Sequence, residues 1–387
     1  MPGKNGGNLQ MYFKINEEQE AIRKMVQDFR EKEIVPLAPE WDEAERFPEE
    51  ILGKLDNLGL TNLSVPEEYD GPGVDFVSAV IIMEELAYGC AGVTLAAGNN
   101  TIALYPVVVG GTAEQKEQYL TAACNDGKLA ALALYEQEAR ADLARFAVTA
   151  QQQNGAYVLN GRKSFVTNAP YADYFVVFAK TGEEKGKDIS VFLVEKDTPG
   201  INVEAPASTL GLRAAVRADV TFENVSVSLE NLIGKEGDGA SLAAQTFELA
   251  RPLIAAMATG VSQAAMEQAA KYAKERVQFG RPIAEFQAIQ VMLARMAAQI
   301  EASRLLTYQA AWLRDENALP NSKGAMARYI ATEAAMQVTI DAIQIMGGYG
   351  YSREYPLEKF MRDAKMLQIL EGDTQAQQLY IAAEVLK

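Results

Sequence analysis

A chain of 387 residues without a single histidine must do any acid–base chemistry with carboxylates, lysine, tyrosine or a bound cofactor. The same absence removes Ser-His and Cys-His nucleophile pairs and every His-ligated metal site. Cys90 and Cys124 are the two cysteines, too few for a disulfide framework or a cysteine zinc site, and they suit a reducing compartment. No metal is expected. Four places then offer chemistry. Glu371 stands before Gly372 and after the mostly apolar run Met366-Leu367-Gln368-Ile369-Leu370. Burial among such side chains would raise its pKa toward that of a general base, although a Glu-Gly pair alone is more simply a surface turn. The segment QIMGGYGYSREYPLEKFMRD, Gln344 to Asp363, sets Gly347, Gly348 and Gly350 after a long helical pattern, where glycine admits a ligand or a backbone closely. Taken alone it is a glycine-rich corner between helices. Arg276 could turn its charged planar fork to a diphosphate, or pair with Glu275. Glu248 and Arg251, one helical turn apart, most simply form an ion pair of a few tenths of a kcal/mol.

The elements that must hold these residues follow from period. From Ile15 to about Cys124 the apolar spacing is helical, with Asn16 as an N-cap before Glu17-Glu18 and two buried helices over 77–87 and 93–109. PEEYDGPG, residues 66–73, reads as a loop. Past Asp126-Gly127 the period shortens. Residues 157–159 and 164–166 read as a hairpin turned at Asn160-Gly161, and further short strands fall over 174–179, 189–194 and 216–222. Helices return after Ile233-Gly234, over 253–277, 289–313, 323–345 and 367–386, the last broken near Gly372. Helices, then strands, then helices make an α+β pattern, and no G-x-G-x-x-G follows a strand as a Rossmann fold would need. The expected domains are helical over 11–126, β over 127–232 and a helical bundle over 233–387, with 1–10 an unstructured extension.

With 36 basic against 52 acidic residues the formal charge is -16, which argues against nucleic acid as a ligand. No apolar run is read as a membrane span and no signal peptide opens the chain, so a bacterial cytoplasm is the expectation.

The 344–363 segment resembles the second signature of acyl-CoA dehydrogenases at Gln344, Gly347, Gly348, Gly350, Glu354, Lys359 and Asp363. The likeness runs from Phe13 through PEEYDGPG, LNGRKSFVTNA, LGLRAAVRADVTFENV, FELARPLIAA and RVQFGRPIAEFQAIQ. It implies an N-terminal helical domain, a middle β domain of barrel or sandwich type and a C-terminal four-helix bundle, in a homotetramer built as a dimer of dimers. It also implies FAD, an acyl-CoA substrate oxidised between Cα and Cβ, and electron-transferring flavoprotein as acceptor. By the same resemblance Glu371 is the catalytic base, and the β-hydride goes to flavin N5. Phe165 and Thr167 lie beside the flavin, Phe165 where the family has tryptophan. Arg276, Gln278 and Phe279 serve the diphosphate and adenine, and Gln344, Gly347 and Gly348 meet the FAD of a neighbouring subunit. Tyr135, Arg140, Ala141, Asp373 and Thr374 fall at cofactor positions; Glu248, Arg251 and Gly372 fall on the acyl-CoA side.

The first signature departs from the family. Where Leu-Thr-Glu-Pro-x-Ala-Gly-Ser-Asp is usual, residues 134–142 read LYEQEARAD, so Tyr135 replaces threonine, Arg140 glycine and Ala141 serine. Asp373 replaces a threonine after Glu-Gly, and Leu370 a tyrosine before it. Three readings stand beside the dehydrogenase: a flavin-poor partner subunit, an enoyl-CoA reductase, and a flavoprotein for a substrate without CoA.

Overall fold

The computed structural model describes residues 15–184, 186–318 and 322–387; the extension expected over 1–10 lies outside them. The first helix, α1 (Glu17–Phe29), opens on a reciprocal cap: Asn16 accepts from the Gln19 N–H, and the Gln19 side chain accepts from Asn16 N–H. Two short helices follow, α2 (Ala38–Glu43) and α3 (Glu49–Asn57), and then α4 (Phe76–Gly110) and α5 (Ala113–Asn125). Cys90, at φ -161° and ψ 109°, breaks α4 into the two helices expected from the sequence. By length and hydropathy α4 could cross a membrane, contrary to the reading of the sequence; 83% of its apolar window is buried inside the protein, which makes it a core helix.

The strands are β1 (Ala130–Ala133), β2 (Thr149–Gln153), β3 (Ala156–Thr167), β4 (Tyr174–Lys180), β5 (Ile189–Glu195), β6 (Ile201–Val203), β7 (Arg217–Ser228) and β8 (Leu232–Ile233). They form one mixed sheet in the order β6-β7-β3-β2-β4-β5-β8, with β1 parallel to β4. Alternation along β4 feeds two cores at once: Tyr174, Val176 and Phe178 pack toward the helices, and Phe175, Val177 and Ala179 into a separate core of the sheet. The hairpin expected at Asn160-Gly161 is not there. The turn is Asn154-Gly155, at φ 51° and 82°, joining β2 to β3 with Gln153 opposite Ala156. Asn160-Gly161 instead lies within β3 at a register shift, where a Cβ on Gly161 would come 2.8 Å from the Val148 side chain.

The C-terminal part begins with α6 (Gly239–Glu275) and a small ribbon, β9 (Val277–Gln278) with β10 (Arg281–Pro282). It continues through α7 (Gln287–Asp315), α8 (Lys323–Met346), α9 (Gly348–Tyr351), α10 (Leu357–Leu367) and α11 (Thr374–Val385). Helix α6 starts 14 residues before the Leu253 expected, because it runs straight through Pro252. The lost hydrogen bond is offset by packing: Leu249, Ala250, Arg251, Leu253 and Ile254 are all buried. Helices α4 and α6 cross at Gly260, where a Cβ would sit 2.1 Å from the Glu84 carbonyl oxygen.

Candidate active site

The backbone reverses between α10 and α11 through two left-handed residues, Glu371 at φ 51° and Gly372 at φ 95°. For glutamate that conformation costs about 1–2 kcal/mol, so its surroundings must impose it. Arg328, on α8 and 1% exposed, donates to the carbonyl of Leu370 and, at 2.6 Å, to that of Glu371. From the β side, the Tyr135 hydroxyl accepts the Gly372 N–H at 2.8 Å. Gln377 donates to the Gly372 carbonyl at 3.3 Å and accepts Arg251 Nε at 3.0 Å, and Arg251 pairs with Glu248 at 2.6 Å. The Glu248–Arg251 pair is therefore no solvated surface contact: it braces the turn that carries Glu371. Both side chains are about nine-tenths covered, and the Tyr380 ring lies 4.1 Å from the guanidinium.

With the turn held, Glu371 is half-buried, and its carboxyl oxygen Oε2 is shut off from solvent with no hydrogen-bond partner. Burial raises its pKa, while the charges of Arg328 and Arg217 pull it partway back. Burial pushes the Tyr135 phenol up to about 12, helped by the Glu371 charge. The same burial lowers Arg328 and Arg217 to about 10, with the Glu371 charge opposing it. A carboxyl of raised pKa with a free lone pair in a dry site can take a proton from carbon.

The altered first signature forms a tight loop. Glu136 and Arg140 exchange both backbone hydrogen bonds, 3.1 and 2.6 Å, and Arg140 sits at φ 55°, where the family's glycine would be unstrained. The Arg140 side chain lies in solvent and meets Asp373 at 3.9 Å. Asp373 itself caps α11 by accepting the Ala376 N–H at 2.9 Å, and Thr374 bonds Glu333 at 3.0 Å. Ala141, half-buried, packs against the core. Beneath the loop, Glu136 accepts the N–H groups of Ala147 and Val148 and pairs at 2.7 Å with Lys163, which is fully buried. Phe165 bulges out of β3 at φ 53° and is 58% exposed, whereas Thr167 is buried.

A second group of expected residues lies apart from these. Arg276, Gln278, Gly347 and Gly348 line a cavity of about 620 Å³ with Tyr272 and Tyr349, and none of Glu371, Tyr135 or Thr167 lines it. A Cβ on Gly347 or Gly348 would meet nothing within 4 Å. Gln344 is exposed beside them. Phe279 is 93% exposed, in edge contact with Phe286. One chain thus carries two half-sites. On α4, Ala96 is fully buried and Gly98 closes on Met83, whereas Ala97 lines a cavity of about 370 Å³ with Phe47, Leu52 and Tyr171. Two buried side chains whose charges act on Glu371 escaped the sequence reading, Arg328 and Arg217. Their only signal was an arginine in an Ala-rich helix and an arginine opening an alternating strand.

A three-part chain of helices, sheet and helices with a buried carboxyl between its last two parts defines the class. The acyl-CoA dehydrogenase N-terminal domain matches residues 16–127, the middle domain 131–225 and the C-terminal domain 237–386. The chain is 41% identical to a 3-(aryl)acrylate reductase of Clostridium sporogenes, over 97% of this chain and all of that protein. It is 40% identical, with the same coverage, to a short-chain-specific acyl-CoA dehydrogenase of Clostridium acetobutylicum. The structure of butyryl-CoA dehydrogenase from Megasphaera elsdenii superposes with a TM-score of 0.94 at 36% identity, covering 97% of this chain and 100% of that one. The chain belongs to the acyl-CoA dehydrogenase family, FAD-dependent oxidoreductases. Its residues fit that cofactor: the open glycines and Arg276 leave room and charge for a diphosphate.

Proposed function

We propose that this chain oxidises an acyl-CoA thioester to the 2,3-enoyl-CoA, with Glu371 as the base that removes the α-proton. The observation that carries this reading is the buried Glu371 carboxyl with Oε2 free of any hydrogen-bond partner. The thioester carbonyl makes Cα weakly acidic, and a base of raised pKa matches it. Arg328 and Tyr135 touch only the backbone around Glu371 and act as positioning residues. FAD, when bound, supplies the acceptor for the hydride that leaves Cβ. Tyr135, Phe165 and Thr167 would border its ring, and Arg276 and Gln278 its diphosphate. Arg276 and Gln278 share one cavity with Gly347 and Gly348, so these four, with Gln344, would reach the FAD of a neighbouring copy; that none of Glu371, Tyr135 or Thr167 lines this cavity supports such sharing. A homotetramer is the assembly expected by family likeness. By family likeness, electron-transferring flavoprotein takes the electrons onward.

Anaerobic titration of the purified, FAD-loaded protein with butyryl-CoA tests the reading. The flavin absorption should bleach in the native chain and persist in Glu371→Gln, which should still bind both FAD and thioester. Equal bleaching in the variant would remove Glu371 from the role.

A further inference from the structure

Arg217 opens β7 opposite Thr167 of β3, and the next pair inward is Val166 with Ala218. Val166 and Ala218 point into the core of the sheet, so alternation sends Thr167 and Arg217 to the other face. There Arg217 is 1% exposed, and none of Nε, Nη1 and Nη2 has a hydrogen-bond partner. Other buried arginines of the chain are satisfied. Arg30 pairs with Glu85, Arg251 with Glu248, and Arg328 donates to two carbonyls. The charges Arg217 senses are Glu371 and Asp363. Asp363 is already engaged, with Oδ1 on the Leu212 N–H and Oδ2 on Lys359, each at 2.6 Å. Glu371 makes no hydrogen bond to Arg217, and its own Oε2 is also unpartnered.

A buried guanidinium without acceptors is costly, and a fork of N–H donors calls for a planar, doubly accepting anion. The charges agree. Arg217 and Arg328 are two buried cations around the one carboxyl of Glu371, and Asp363, the other carboxylate that Arg217 senses, is taken up by Lys359. We propose that Arg217 is a substrate-recognition residue that binds a carboxylate carried by the acyl substrate, next to the carbon atoms that react. This rests on the reading of Glu371 as the base, since the Glu371 charge is the first that Arg217 senses. The carboxylate has two sources: the far end of a dicarboxylic acyl-CoA, or the C1 carboxylate of an unesterified enoic acid.

Calorimetric titration of the FAD-loaded protein with glutaryl-CoA, pentanoyl-CoA and trans-2-pentenoate separates them, in the native chain, Arg217→Met and Arg217→Lys. The expected result is that glutaryl-CoA or trans-2-pentenoate loses about 10- to 100-fold in affinity in Arg217→Met and less in Arg217→Lys. Pentanoyl-CoA should change by less than about threefold. The ligand that shows the loss names the source. Removing an unpaired buried charge should also raise the unfolding temperature of the ligand-free Arg217→Met protein, which a merely structural arginine would lower. Equal weakening of all three ligands, or of none, overturns the proposal, as does a change confined to the flavin spectrum. Tight binding of pentanoyl-CoA alone would remove the carboxylate site and leave the dehydrogenase standing. Binding of no ligand would remove both.

Discussion

At the scale of single residues, the site is one carboxyl placed against its own preference. Glu371 is held in a left-handed conformation and out of water, and both costs are met by Arg328, Tyr135 and Gln377 gripping the backbone on either side of it. The raised pKa has a consequence for stability. The folded chain holds the Glu371 proton more tightly than the unfolded chain, whose glutamates titrate at about 4.3. Between that pH and the raised value the native state binds more protons than the unfolded state, so this group makes stability fall as pH rises. Glu371→Gln removes the titration. Urea unfolding from pH 4 to 8 should therefore show the native chain losing stability relative to the variant as pH increases; a constant difference would mean the carboxyl is not perturbed. Glu371 was singled out by the family resemblance, since the apolar run before a Glu-Gly pair does not by itself distinguish a base from a surface turn. Arg217 and Arg328 were not, because a sequence marks arginine as a surface residue, and only the tertiary environment shows which ones are buried.

At the scale of elements, the order of helices, strands and helices was readable from the change of period near 127 and back near 234, because both faces of the central strands are packed with apolar side chains. The misplaced hairpin has a definite cause. Asn154-Gly155 and Asn160-Gly161 are the same dipeptide six residues apart, and only the first is flanked by residues that pair with each other, Gln153 with Ala156, while the second lies inside β3 and meets Val148 at a bulge. Helix α6 was shortened for a similar reason, since Pro252 looks like a boundary and tertiary burial overrides it. The loop from Tyr135 to Asp142 shows how the departures from the family fit together. Arg140 occupies a glycine conformation and reaches Asp373, so two unusual residues face each other across an exposed, weak pair. Arg140→Gly should therefore stabilise the protein by about 1 kcal/mol through relief of the left-handed residue, the pair contributing little. Thermal unfolding checks this, and a loss of stability would show that the loop needs the arginine.

At the scale of the whole molecule, no part makes the site alone. The β domain contributes Tyr135, Thr167 and Arg217, α8 brings Arg328, and the α10–α11 turn brings Glu371, so the surroundings of the proposed base are assembled by packing the sheet against the bundle. The cavity at Arg276 and Gly347 opens elsewhere on the same chain, an arrangement that suits copies completing each other's cofactor sites. What this architecture is proposed to accomplish is removal of a proton from Cα of a thioester by Glu371. That step can be watched without any external electron acceptor. Butyryl-CoA incubated with the FAD-loaded protein in D2O, anaerobically, should gain deuterium at Cα, seen by NMR as loss of the α-proton signal. Glu371→Gln should abolish the exchange while retaining FAD and thioester binding. Exchange that continues undiminished in Glu371→Gln would contradict the account at its centre.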